Sequence, residues 1–155
     1  MSSSSSTTAG SDSKIRILVV DDEPDILLTL NAVLSGQGHY VETFDNPAEA
    51  LSHLTSSSNY GVTPYYDLVI TDYRMPGSGI SGLDLAKRVK EHTTRTSRRK
   101  TKVFLMSGSF NESSLPEEFI QALKSGIVDE FIQKPTPNDK LIAVVEKSFS
   151  HNKNH

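Results

Sequence analysis

Cysteine is absent from the chain. Its absence excludes disulfide scaffolds, zinc–thiolate centres and thiol nucleophiles together, and it accords with a reducing compartment. Long apolar runs are also missing, so no segment reads as a membrane span. Residues 1–10 have neither a basic start nor an apolar stretch, and no secretory signal is read there. Excess charge is lacking too: 16 Lys and Arg stand against 19 Asp and Glu, a net charge of −3. That is too little to draw the chain to nucleic acid or to an anionic membrane. The expectation is a cytoplasmic protein with no nucleic-acid partner and no membrane partner.

With 155 residues, one domain is the default, large enough to bury a core without a covalent staple. Residues 1–13 are Ser-rich with almost nothing to bury, and read as a disordered tail. Residues 15–20 are apolar and rich in β-branched side chains, the pattern of a buried parallel strand. Pro24 suits a first helical turn with Asp22 or Glu23 as cap, and Ile26, Leu27, Leu30, Val33 and Leu34 recur at helical spacing before Gly36.

The alternation then repeats. Residues 40–44 form a second strand, and Asn46 caps a helix carrying Ala50, Leu51 and Leu54. Residues 56–65 are polar and read as a loop, and 66–72 form the third strand. Leu83, Ala86 and Val89 mark a third helix that runs out near His92. Residues 101–107 form the fourth strand. Leu115, Phe119, Ile120 and Leu123 face inward on a fourth helix that ends at Gly126. Residues 128–133 form the fifth strand, and Thr136 caps a last helix with Pro137 at its first position and Leu141, Val144, Val145 and Phe149 on one face. Five strands alternating with five helices indicate an α/β fold, a doubly wound parallel sheet covered on both faces.

In such sheets the ligand crevice lies beyond the carboxyl ends of the strands. Asp21, Asp22, Asp72, Ser107 and Lys134 all fall at or just past such ends. Taken singly, each has a plain explanation. Asp22 alone would be a helix cap, Asp72 a turn former before Pro76, Lys134 a solvated lysine, Ser107 filler before Gly108 and Phe131 half-buried core. Together they form a chemical set. Carboxylates sharing a crevice repel unless a cation joins them, and an oxygen-only donor set favours Mg²⁺. A carboxylate can also act as nucleophile toward phosphorus, with a hydroxyl and an ammonium neutralising the phosphoryl oxygens. The five histidines are scattered without ligand spacing. The basic run Arg95, Arg98, Arg99, Lys100 and Lys102 lacks interleaved aromatics and reads as a solvated loop.

The segments Leu18–Pro24, Asp72–Gly77, Gly82–Leu85, Met106–Gly108 and Phe131–Pro135 resemble, in order, the signatures of response-regulator receiver domains. The resemblance covers residues 14–150 and implies a flavodoxin-like three-layer sandwich with sheet order 2-1-3-4-5. It implies Asp72 as phosphoacceptor and Asp21, Asp22 and Asp72 as Mg²⁺ ligands together with the Arg74 backbone carbonyl. Lys134 would contact the phosphoryl group, with Ser107 and Phe131 as switch residues and a cis Lys134–Pro135 bond. The donor would be a sensor histidine kinase or a histidine phosphotransfer protein.

This sequence departs from the family pattern in places. Residues 76–82 form a longer turn than usual, residues 56–65 lengthen the path into the third strand, and Gly108 stands where alanine is commoner. Arg74 and Ser109 hold two positions that in this family often tune water access. With residues 151–155 read as a short tail, the expectation is a stand-alone receiver and a signalling switch, not an enzyme. Its output would be an unknown downstream protein, or homodimerisation on phosphorylation, at the face of the fourth helix, fifth strand and fifth helix. The alternatives are a phosphorylation-independent adaptor and an aspartate-nucleophile phosphatase. The phosphatase reading wants its nucleophile in an Asp-x-Asp on the first strand, where the acids here are adjacent.

Overall fold

The apolar runs of the sequence pair into one five-stranded parallel sheet in a computed structural model of the chain, which describes residues 14–55, 65–96 and 100–149. The strands are β1 (Arg16–Val20), β2 (Tyr40–Phe44), β3 (Leu68–Asp72), β4 (Lys102–Ser107) and β5 (Glu130–Gln133). The helices are α1 (Pro24–Gly36), α2 (Pro47–Thr55), α3 (Gly82–Thr96), α4 (Glu117–Ser125) and α5 (Asn138–Phe149), with a single 3₁₀ turn at Glu112–Ser114. The sheet order is β2-β1-β3-β4-β5, with every pair parallel, as expected. The tail at 1–13, residues 56–64 of the expected loop, Arg98, Arg99 and residues 150–155 lie outside the described residues.

The two-residue period of the strands divides the core into two layers. Leu18, Val20, Val69, Val103 and Leu105 face α2, α3 and α4 through Ala50, Leu54, Leu83, Ala86, Phe119 and Ala122. Ile17, Val19, Leu68, Ile70, Phe104 and Met106 face α1 and α5 through Leu27, Leu30, Leu34, Leu141 and Val145. β3 is buried along its whole length, as the central strand of a sheet covered on both sides must be. Among the described residues no helix is long and apolar enough to cross a membrane.

Several boundaries differ from the sequence-based expectation. β1, β3, β4 and β5 each begin one or two residues later. α3 continues past His92 to Thr96, carrying Thr93 into the interior, where its hydroxyl is satisfied by the Val89 carbonyl. Leu115 precedes α4, whose N-cap residue is Pro116; within the helix Ala122 is more deeply buried than Ile120. Thr136 does not cap α5, since its hydroxyl donates to the Gln133 carbonyl. Glu23 occupies the N-cap position of α1 but makes no side-chain capping bond. Asn46 does cap α2, accepting from the Ala48 and Glu49 N–H groups.

Candidate functional site

Four parallel strands end on one rim. Asp21 follows β1, Asp72 and Ser107 are the last residues of β3 and β4, and Lys134 follows β5. Asp21 is held from both sides. Its N–H donates to the Phe44 carbonyl at 3.1 Å, and its carboxylate accepts the Glu23 N–H at 2.9 Å. Asp21 is fully buried and Asp72 nearly so, whereas Asp22 is exposed. Carboxylate oxygens of all three lie within 4.8 Å of one another.

Lys134 closes the rim. Its Nζ lies 3.0 Å from Asp21 Oδ2, 3.2 Å from Glu23 Oε1 and 3.5 Å from Asp72 Oδ1. Its backbone N–H donates to the Ser107 carbonyl, and the Lys134–Pro135 peptide bond is cis, as the family resemblance implies. Burial and the Asp21 charge push the Asp72 carboxyl up to about 6, against the pull of Lys134. Burial likewise raises Asp21. Burial pulls the Lys134 ammonium down, but Asp21, Asp72 and Glu23 more than offset it, and the net displacement is upward. One ammonium therefore faces more negative charge than it neutralises. Three clustered oxygen donors with uncompensated charge fit a hard divalent cation such as Mg²⁺.

The turn after Asp72 is built around close backbone contacts. The Gly82 N–H donates to the Tyr73 carbonyl at 2.9 Å. A Cβ on Gly82 would fall 2.0 Å from the Asp72 carbonyl oxygen, so only glycine allows α3 to start this close to the strand. The extra residues are ordered by Ser78, whose hydroxyl meets the Met75 and Ile80 carbonyls, and by left-handed Gly77 and Gly79. Ser81 and Asp84 exchange reciprocal capping bonds at the start of α3. Arg74 is exposed, with its guanidinium 5.7 Å from the Tyr73 ring centre. The Arg74 carbonyl is assigned as a ligand by the family resemblance alone.

Ser107 is buried and its Oγ accepts the Ser109 N–H at 3.1 Å. Phe131 is half-buried against Phe119, ring centres 5.8 Å apart. Thus Asp21, Asp22, Asp72 and Lys134 form one cluster, Ser107 ends the neighbouring strand, and Phe131 sits two residues before the end of β5. Sequence reasoning missed Glu23 as a partner of Lys134, although it directly follows the acidic pair. It also missed Tyr73, whose hydroxyl donates to Glu118, and Asp129, which accepts from the Val103 N–H and from Lys90.

The chain is similar to known proteins over most of its length. The sequence model of the response regulator receiver domain matches residues 17–146. The chain is 33% identical over 135 residues to the DNA-binding transcriptional regulator NtrC of Escherichia coli (strain K12), covering 87% of this chain and 25% of that protein. It is 30% identical over 136 residues to the transcriptional regulatory protein FixJ of Bradyrhizobium diazoefficiens, covering 88% and 57%. The chain thus spans between a quarter and three fifths of these longer relatives. Among solved structures, a response regulator receiver domain protein from Clostridium thermocellum superposes with a TM-score of 0.67 at 28% identity, covering 89% of this chain and 96% of that one. NtrX from Brucella abortus superposes with a TM-score of 0.70 at 31% identity, covering 90% and 28%.

Proposed function

The chain belongs to the response regulator receiver domain family of two-component signalling, and from that premise we propose that it is a phosphoryl-accepting switch with Asp72 as the acceptor. The observation that carries the reading is the Asp72 carboxylate, nearly buried at a strand end and 3.5 Å from Lys134. An Asp72 oxygen attacks the phosphorus of a phosphohistidine on a sensor histidine kinase or a phosphotransfer protein. The P–N bond breaks, leaving histidine on the donor and an aspartyl-phosphate here. In this reading Lys134 turns from Asp21 and Glu23 toward a phosphoryl oxygen, and Ser107 offers its hydroxyl to another. Asp21, Asp22 and Asp72, with the Arg74 carbonyl, would hold a Mg²⁺ ion, which supplies neutralising charge to the phosphoryl group.

The chain catalyses no turnover beyond gain and loss of this group. Ser107 and Phe131 carry the change in charge to the face of α4, β5 and α5, where it shifts binding of a downstream protein or of a second copy. Incubation with acetyl phosphate and Mg²⁺, followed by intact mass, tests the acceptor. One phosphoryl adduct is expected, absent in Asp72→Asn; an adduct that persists in that variant overturns the assignment. Sedimentation of the labelled and unlabelled forms tests the second-copy output, and equal self-association would exclude it.

A further inference from the structure

Tyr73 directly follows Asp72, and nothing in the acceptor chemistry requires its side chain. Its backbone is fixed on both sides: the N–H donates to the Met106 carbonyl at 2.8 Å, and its carbonyl accepts from Gly82. Its ring meets Phe119 of α4 edge-on, centres 4.5 Å apart at 84°. Its hydroxyl donates to Glu118, in the first turn of the same helix. Phe110 packs against both rings, at 6.1 Å from Tyr73 and 5.7 Å from Phe119. Phe119 also touches Phe131. One helix residue therefore contacts an aromatic from the turn after β3, one from the loop after β4, and one from β5.

We propose that Tyr73, alongside Ser107 and Phe131, couples modification of Asp72 to the position of α4, its ring bearing on Phe119 and its hydroxyl holding Glu118. This rests on the reading of Asp72 as phosphoryl acceptor and names the regulation of that site. Phosphorylation replaces the single carboxylate charge of Asp72 with a phosphoryl group carrying up to two, directly next to the Tyr73 backbone. With its N–H and carbonyl both bonded, Tyr73 has little freedom to absorb a shift locally. A displaced ring must then move Phe119 or release Glu118, because packed interiors rearrange between discrete arrangements rather than deform smoothly. The β4–α4 loop converges on the same ring. If Ser107 turns toward the phosphoryl group, it gives up the Ser109 N–H, freeing the segment that carries Phe110.

The test compares amide exchange in α4 before and after labelling with acetyl phosphate and Mg²⁺, in the wild-type chain and in Tyr73→Phe and Glu118→Ala. Glu118 is exposed, so its variant folds even if the tyrosine variant does not. Intact mass should show all three labelled at rates within about two-fold. The wild-type exchange should change by roughly ten-fold on labelling, the scale of one hydrogen bond. In both variants that change should fall to below about a third of the wild-type value. A merely structural role raises exchange equally in both forms and leaves the difference intact, which would overturn the proposal. So would a wild-type chain that labels without any change in α4. A wild-type chain that takes no label fails in the mass measurement, and removes the acceptor reading together with what rests on it.

Discussion

Lys134 and Asp21, 113 positions apart in the chain, meet at 3.0 Å between ammonium and carboxylate. The Asp21 side chain is fully buried and that of Asp72 is 9% exposed, so removing the ammonium leaves two buried carboxylates with no covalently held counter-charge. Lys134→Met should therefore be destabilised by about 3 kcal/mol at pH 7 in chelator, the scale for breaking a buried ion pair. Urea denaturation measures it. Mg²⁺ should recover part of the loss, because a second cation enters the same charge cluster. Unchanged midpoints would mean that the acids tolerate each other without Lys134.

The same repulsion makes stability depend on pH. The Asp72 carboxyl is displaced from 3.8 to about 6 by burial and by Asp21. Between those values the folded chain holds a proton that the unfolded chain has released, so stability falls as pH rises through that window. The full displacement corresponds to about 3 kcal/mol. Asp72→Asn has no such group to ionise. Its denaturation midpoint in chelator should exceed that of the wild type at pH 7 and match it near pH 4. A wild-type chain that gains stability from pH 4 to 7 relative to Asp72→Asn contradicts the burial of a repelled carboxylate.

Gly82→Ala tests the turn that aims Asp72. The added Cβ would lie 2.0 Å from the Asp72 carbonyl oxygen and 2.9 Å from Leu105 Cδ1. Backbone must move, and a cost of about 1–3 kcal/mol is expected from overpacking. Thermal denaturation reads the cost. Slower labelling by acetyl phosphate should accompany it, since the displaced group is the backbone of the acceptor itself. Gly77→Ala is the control for a left-handed glycine in the same turn, at φ 84° with open space around it; it should lose stability with little effect on labelling.

The rim was legible because strand ends can be read from apolar runs, and in a parallel sheet strand ends converge. Asp21, Asp72, Ser107 and Lys134 were each placed by a strand, read from its apolar residues, ending at or beside them. Gly82 was visible only as part of the Gly82–Leu85 segment of the family resemblance, since a close approach to a carbonyl is a tertiary fact with no local signature. Glu23 and Asp129 failed for a related reason. Each is an unremarkable acid until Lys134 or Lys90 arrives from a distant element. The end of α3 was misplaced because Thr93, a poor helix former by propensity, is buried by tertiary packing, with its hydroxyl satisfied within the helix. At Thr136 the local cap rule lost to a turn bond with Gln133.

Asp22 separates a metal role from a capping role. It is exposed, and the N-cap position of α1 belongs to Glu23 without a side-chain bond. Asp22→Asn should therefore not lower stability in chelator, since no structural bond is lost and its charge only adds to the repulsion on Asp72. Its carboxylate nevertheless belongs to the oxygen cluster with Asp21 and Asp72. A ligand at a hundred times its Kd stabilises by about 2.7 kcal/mol, and a ten-fold loss of affinity removes about 1.4 kcal/mol of that. The variant should thus show a midpoint no lower than the wild type in chelator and a smaller gain when Mg²⁺ is added. Equal gains would remove Asp22 from the metal site. A lower midpoint in chelator, with the Mg²⁺ gain intact, would return it to the role of a helix cap.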